Sequence, residues 1–312
     1  MKPAHPTATV LIGFACFVAI AAGLGTVWAA PSPEDACQSL ATLPRQSDTP
    51  PSNKTVLTCL PHPVAIDGRL VGGSTRDRWI GVEQWVPADL EAGQCRSLAP
   101  ESASSGLPYR CYVFDRLLGE CEGRAVSACS SASSGDPWFA VDFPECKFPS
   151  FNVGIAAPWN ALPRLPKVLT NHDDLIPIVR AFLNGKGLQN APIRIEFAHS
   201  VDLDGDGTAE VIVHARSSRD EPDDYAPTDY SLLLLVKDSN WANSAIITAW
   251  WPTEQEHEGS YERYESSYAD LNGDNKMEII VRWSGYEEGG LRIYTLRDGV
   301  PVETPLGYYE GV

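Results

Sequence analysis

Two stretches of this chain, 68 residues apart, run an acidic turn straight into an apolar strand. Asp202 to Val213 reads DLDGDGTAEVIV, Asp270 to Val281 reads DLNGDNKMEIIV, and seven of the twelve positions are identical. The first copy sets oxygen-bearing side chains at Asp202, Asp204, Asp206 and Glu210, the second at Asp270, Asn272, Asp274 and Glu278. Calcium gathers roughly 6 to 8 oxygens at about 2.3 to 2.6 Å, so a loop that binds it must curl its side chains around one point. Gly205, Gly207 and Gly273 permit that curl, and Asn275 stands where the first copy has Gly207, asparagine being among the few residues that tolerate left-handed backbone. By analogy with other calcium loops the seventh position supplies a backbone carbonyl, which falls on Thr208 and Lys276. The expectation is one or two calcium ions. Asn272, Asn275 and the charge of Lys276 make the second loop the weaker of the two.

An EF-hand loop opens with the same run, yet it needs a glutamate at its twelfth position and helices on both sides. Here the twelfth residues are Val213 and Val281, and the sequences that follow are β-branched. A loop that closes on Glu210 or Glu278 and feeds a strand resembles instead the FG-GAP or VCBS type repeat of integrin-like β-propellers and bacterial cell-envelope proteins. The resemblance covers roughly Ile193 to Tyr309. It implies propeller-like blades with the ten loop positions as metal ligands, and interaction with proteins or surfaces. A closed propeller needs several more blades than two.

The start of the chain is an export signal. One lysine precedes the apolar run Val10 to Ala29, whose small-residue end suits cleavage before Ala30, although the run is also long enough to serve as an anchor. The rest of the chain is therefore expected outside the cytoplasm, secreted or in the periplasm and cell envelope. Eight cysteines agree with that compartment: Cys16 lies in the signal, and the other seven all fall between Cys37 and Cys146. Disulfides are the default, with 105 three-bridge arrangements open for seven cysteines. The spacing favours Cys111 with Cys121 across a hairpin and Cys37 with Cys59.

Composition divides the exported chain. Residues 30 to 166 carry a net charge of −4 and all seven of these cysteines, whereas residues 167 to 312 carry −14 and none. The expected layout is a signal peptide at 1–29, an extended Pro/Ser-rich arm at 30–63, a Cys-rich β domain at 64–150, a linker at 151–166 and an acidic repeat domain at 167–312. The fold class is mainly β, or α+β: a disulfide-containing β domain, then two propeller-like blades with calcium loops and one packed helix, not a closed propeller. That helix is read from HDDLIPIVRAFLNGKG, with Asp174 as N-cap, Pro177 in the first turn, and Gly185 or Gly187 at its end.

A net charge of −17 excludes binding nucleic acid through its phosphates and disfavours an anionic membrane surface beyond the N-terminal segment. The tracts RDEPDDY (Arg219 to Tyr225) and EQEHEG (Glu254 to Gly259) read as solvated loops. Enzyme signatures such as GxSxG, HExxH or a phosphate loop are missing, and no catalytic residue is assigned. His199 and His214 flank the first loop and read as structural rather than as a metal pair. The function expected is a non-catalytic, calcium-binding interaction or scaffold protein, with a protein or glycan at the cell surface as partner. The alternative is a glycan-binding protein or glycoside hydrolase, with Trp250, Trp251, Trp283 and Tyr286 as a stacking face.

Overall fold

The computed structural model describes residues 62–75, 78–81, 106–129, 137–144, 146–147, 151–217, 226–237, 240–251, 262–285 and 287–311. The expected export segment and arm before residue 62, the expected Cys37–Cys59 pairing, both acidic tracts and Tyr286 lie outside the described residues. Strands dominate what is described, and one α-helix accompanies them.

The first sheet contains β1 (Pro63–Ile66), β2 (Arg69–Thr75), β3 (Arg78–Gly81), β4 (Leu107–Val113), β5 (Arg116–Cys129), β6 (Pro137–Asp142) and β7 (Val153–Ile155). Its order is β1-β7-β4-β5-β6-β2-β3, and β1 also pairs with β2, so six strands form a nearly closed antiparallel ring. The β1–β2 connection is the dipeptide Asp67-Gly68, both at positive φ (50° and 76°), the mirror-image turn whose twist suits a two-residue hairpin. β1 shows the period of two that such a ring requires. Ala65 packs inside with Leu70, Tyr109, Cys111, Cys121, Val141 and Phe143, while Val64 and Ile66 face a larger core outside. The ring interior is tight: a Cβ on Gly123 would sit 2.5 Å from the Tyr109 ring. Residues 151–166, expected as a linker, contain β7, which bridges β1 and β4.

Cys121 bonds to Cys146, not to Cys111. In the β4–β5 hairpin Cys121 stands opposite Tyr109 and Cys111 opposite Gly119, so the two cysteines are diagonal neighbours. Diagonal positions lie about 7–8 Å apart, too far for a bridge that needs Cβ atoms about 4 Å apart. The Cα atoms of Cys121 and Cys146 are 6.3 Å apart, and Cys111 stays a buried free thiol.

The second sheet runs β12-β11-β10-β9-β8, from β8 (Lys167–Val168), β9 (Arg194–Val201), β10 (Glu210–Arg216), β11 (Ser231–Lys237) and β12 (Asn240–Trp250). The third is a four-strand meander of β13 (Arg263–Ala269), β14 (Glu278–Ser284), β15 (Glu288–Arg297) and β16 (Val300–Gly311). β11 explains the apolar run SLLLLV: Leu232, Leu234 and Val236 pack under the helix, while Leu233 and Leu235 join the larger core on the opposite face. A strand covered on both sides has no position left for a polar residue. Each buried leucine contributes about 1.5–3 kcal/mol.

Helix α1 (Leu175–Gly185) lays Leu175, Val179, Phe182 and Leu183 on the second sheet. Pro177 is its third residue, where no intrahelical N–H is lost. Asp174 occupies the N-cap position without a side-chain capping bond. At the other end Gly187 takes φ +84°, and the N–H groups of Gly187 and Leu188 return to the carbonyls of Asn184 and Leu183, the paired bonds of a Schellman ending.

The largest core is shared by all three sheets. It joins Val64, Ile66, Tyr112 and Ile155 of the ring to Ile212, Leu233 and Leu235 of the second sheet and Tyr268, Ile280 and Ile293 of the third. Breaking the Cys121–Cys146 link by Cys121→Ser is expected to lower stability by about 3.5 kcal/mol, the chain-entropy value for a sequence separation of 25. Urea unfolding measures the loss, and peptide mapping of the unreduced protein is expected to recover Cys121 joined to Cys146.

Candidate functional site

The two acidic loops occupy equivalent places. Residues 202–209 connect β9 to β10 and residues 270–277 connect β13 to β14, in each case the first hairpin of a four-strand meander. Five hydrogen bonds recur in both. The loop's first aspartate accepts from two N–H groups, Gly205 (2.8 Å) and Gly207 (3.2 Å) to Asp202, and Gly273 (2.7 Å) and Asn275 (2.9 Å) to Asp270. The third residue accepts from the fifth: Asp206 N–H to Asp204 at 3.2 Å, Asp274 N–H to Asn272 at 3.0 Å. The fifth accepts from the seventh: Thr208 N–H to Asp206 at 2.6 Å, Lys276 N–H to Asp274 at 2.8 Å. The terminal glutamate reaches back to the second residue, with Leu203 N–H to Glu210 and Leu271 N–H to Glu278 both at 2.9 Å. Asn275 has φ +66° beside +89° for Gly207, so the asparagine holds the left-handed position expected of it.

Asp202, Asp204 and Glu210 bring one oxygen each within 4.8 Å of one another, and this group could hold a metal ion. Asp206 and Thr208 lie at the exposed tip. The second loop is set deeper, with Asp270, Asn272 and Glu278 buried and Asp274 and Lys276 exposed. The N–H groups of Thr208 and Lys276, whose carbonyls are the expected ligands, donate to Asp206 and Asp274.

Burial raises the Glu210 carboxyl above its ordinary pKa, and the Asp204 charge adds to this against the Leu203 N–H and Lys237. Burial likewise raises Asp270 and raises Glu278 well above the usual carboxylate range, the Asp274 charge adding to both. Glu278 has no exposed surface, and its Oε1 is buried without a well-formed hydrogen bond, the Thr295 hydroxyl being the polar group beside it. A buried carboxylate oxygen without a partner is costly unless a proton or a cation joins it. At the first loop Lys237 Nζ lies 3.7 Å from Glu210 Oε1.

Residues that sequence reasoning passed over hold the loops in place. Trp159 Nε1 donates to the Asp270 carbonyl at 2.9 Å, its ring lies against Gly273, and Asp270 N–H donates to the Ala161 carbonyl at 2.7 Å. Ser74 Oγ, from β2, donates to the Leu271 carbonyl at 2.6 Å. Arg164 donates to the carbonyls of Asp202 (2.5 Å), Leu203 (3.2 Å) and Asn275 (2.7 Å). No local pattern around Trp159, Arg164 or Ser74 distinguishes them, because each acts through a carbonyl far along the chain.

His199 and His214 face the seam between the second and third sheets. His199 Nδ1 lies 3.0 Å from the Tyr268 hydroxyl and 3.2 Å from Ser266 Oγ; His214 Nε2 lies 3.1 Å from Ser231 Oγ, and its Nδ1 is buried without a partner. Phe197 stacks on His199 and tilts against His214. Burial pushes their pKa values down, to about 4 for His199 and to about 3 for His214. The proposed stacking residues are also committed: Trp283 is 4% exposed and Arg292 covers its ring at 4.6 Å, while Trp250 and Trp251 are half-buried. A surface cleft of about 680 Å³ opens nearby, between Arg263, Arg282, Tyr308 and Glu310.

Comparison with known proteins finds no matching protein family, no similar curated protein and no similar solved structure.

Two outcomes follow from this geometry. Both histidines have folded pKa values below their ordinary 6.5, so their contribution to stability is complete above pH 6.5 and is lost as pH falls toward 4. Protonating either ring in the folded state costs on the order of 3 to 5 kcal/mol, and that is the stability lost on the acid side. The raised glutamates act in the opposite sense, so the readout is a difference: the urea midpoint of the parent protein is expected to fall between pH 6.5 and 4 more steeply than that of His214→Gln. Asn275→Ala is expected to cost about 1 kcal/mol of stability and Asn275→Gly much less, because only the alanine is strained in left-handed backbone.

Proposed function

We propose that this chain is an exported, calcium-stabilised interaction or scaffold protein of the cell envelope, without catalysis of its own. The observation that carries the reading is the equivalence of the two loops. They are alike in sequence, in their five hydrogen bonds and in their place before the second strand of a four-strand meander. In this reading the two meanders are FG-GAP or VCBS type blades that share a core with the ring instead of closing into a propeller.

The donor set suits a hard divalent cation. Carboxylate and amide oxygens dominate, with no cysteine or histidine in either loop, which favours calcium over zinc or copper. Asp202, Asp204, Asp206 and Glu210 would hold one ion, and Asp270, Asn272, Asp274 and Glu278 the other. The buried Glu278 oxygen fits such an ion. Bound there, calcium supplies no chemistry; it neutralises the buried carboxylates and ties the start of β10 and β14 to the strands before them. Outside the cell calcium is abundant enough for modules that bind in the range of about 10⁻⁴ to 10⁻³ M.

The thermal midpoint of the whole chain is expected to rise on adding millimolar calcium, by the equivalent of about 2.7 kcal/mol per site at 100 times the dissociation constant. The double variant Asp202→Ala/Asp270→Ala should show no such rise. A parent protein whose melting is the same with calcium and with a chelator would overturn the reading.

A further inference from the structure

The two loops touch. Met277 N–H donates to the Leu203 carbonyl at 2.8 Å, a backbone bond from the end of the second loop to the second residue of the first. Arg164 lies over the same junction. Its Nε donates to the Asp202 carbonyl at 2.5 Å, and its Nη2 to Leu203 at 3.2 Å and to Asn275 at 2.7 Å. One guanidinium therefore holds two carbonyls of the first loop and one of the second. Only an arginine presents several donors in one rigid plane, so the three acceptors are fixed relative to one another.

The charge is placed as carefully as the donors. Arg164 Nε is 3.9 Å from Asp202 Oδ2, beyond hydrogen-bond reach, so the guanidinium offsets negative charge at the loop without taking a carboxylate oxygen. The Asp202 oxygens accept instead from Gly205 and Gly207. The hydrogen bonds of Arg164 to both loops thus go to backbone carbonyls.

We propose that Arg164 couples the two acidic loops, so that a calcium ion in either one raises the affinity of the other. The proposal rests on the calcium reading given above. Its physical basis is shared order. An ion that fixes Asp202 and Leu203 also fixes the guanidinium, and the fixed guanidinium holds the Asn275 carbonyl where the second loop needs it. The entropy of ordering Arg164 and the junction is then lost once, with the first ion, and not again with the second. Linkage makes the effect reciprocal. Repulsion between two divalent ions opposes it, but seven loop carboxylates and the position of Arg164 leave the pair without excess positive charge.

The test is calcium chloride titrated calorimetrically into the whole chain, two single-loop variants, two Arg164 variants, and each Arg164 variant combined with either single-loop change. Asp204→Ala leaves only the second loop competent, and Asp274→Ala only the first. The parent protein is expected to bind two ions, with a product of stepwise association constants that exceeds the product of the two isolated-loop constants by about fivefold or more. In Arg164→Met, compared with its own single-loop variants, that ratio is expected to fall to within about twofold of one. A purely structural role for Arg164 would lower the melting temperature and leave the ratio unchanged. Arg164→Lys keeps the charge but cannot span three carbonyls; it is expected to behave as Arg164→Met and serves if the methionine variant fails to fold by circular dichroism.

Two bound ions with a ratio of one in the parent protein would overturn the coupling and leave the calcium reading standing. A single bound ion would overturn the coupling as well. A high ratio that survives both Arg164 variants would remove Arg164 from the role. No binding at all would overturn the calcium reading, and the coupling with it.

Discussion

The buried carboxylates at the heads of β10 and β14 are the constraint around which the rest is arranged. Glu210 and Glu278 begin central strands, are nearly or wholly inaccessible to water, and each accept one N–H from the loop that precedes them. A charge in such a position has to be met by something. The hairpins meet it in part with that one N–H, while the loop that closes on the glutamate brings aspartates near it and adds to the negative charge. That requirement fixes the register of β9 with β10 and of β13 with β14, and hence which faces of the two meanders are apolar. Those faces are what the ring and the helix pack against.

Local patterning made much of this legible. The loops, the strands that follow them and α1 could be read because each depends on neighbours in sequence: a left-handed position at Gly207 or Asn275, β-branched runs after Glu210 and Glu278, apolar spacing from Leu175 to Leu183. β13 was not legible. Its sequence RYESSYA is polar, and its buried side chains Tyr264, Ser266 and Tyr268 are matched by partners on other strands, such as His199. β16 carries two prolines, at 301 and 305, and three glutamates or glycines among its last residues, a composition that argues against a strand until the edge of a sheet accommodates it.

The seam between the second and third sheets shows the same limit for charge. From sequence, His199 and His214 are two histidines near an acidic loop. In the fold they are neutral members of a buried aromatic cluster with Phe197, Tyr264 and Tyr268. Which groups surround a histidine is decided by a sheet formed more than fifty residues further along the chain. Disulfide pairing is decided in the same way: the hairpin spacing that suggested Cys111 with Cys121 is overridden by a diagonal register and by the nearness of Cys146.

The sealed thiol at Cys111 bears on how the chain behaves among its own copies. An odd cysteine in a secreted protein ordinarily invites a bond to a second molecule. Here Cys111 has no exposed surface, and burial pushes its thiol up to about 12, so it is neither reachable nor ionised. With Cys121 and Cys146 joined and Cys111 sealed, the seven cysteines from Cys37 to Cys146 leave an even set of four, which admits three pairings in place of 105. The odd thiol is then the buried one, and an even number of cysteines is left for bonds within the chain.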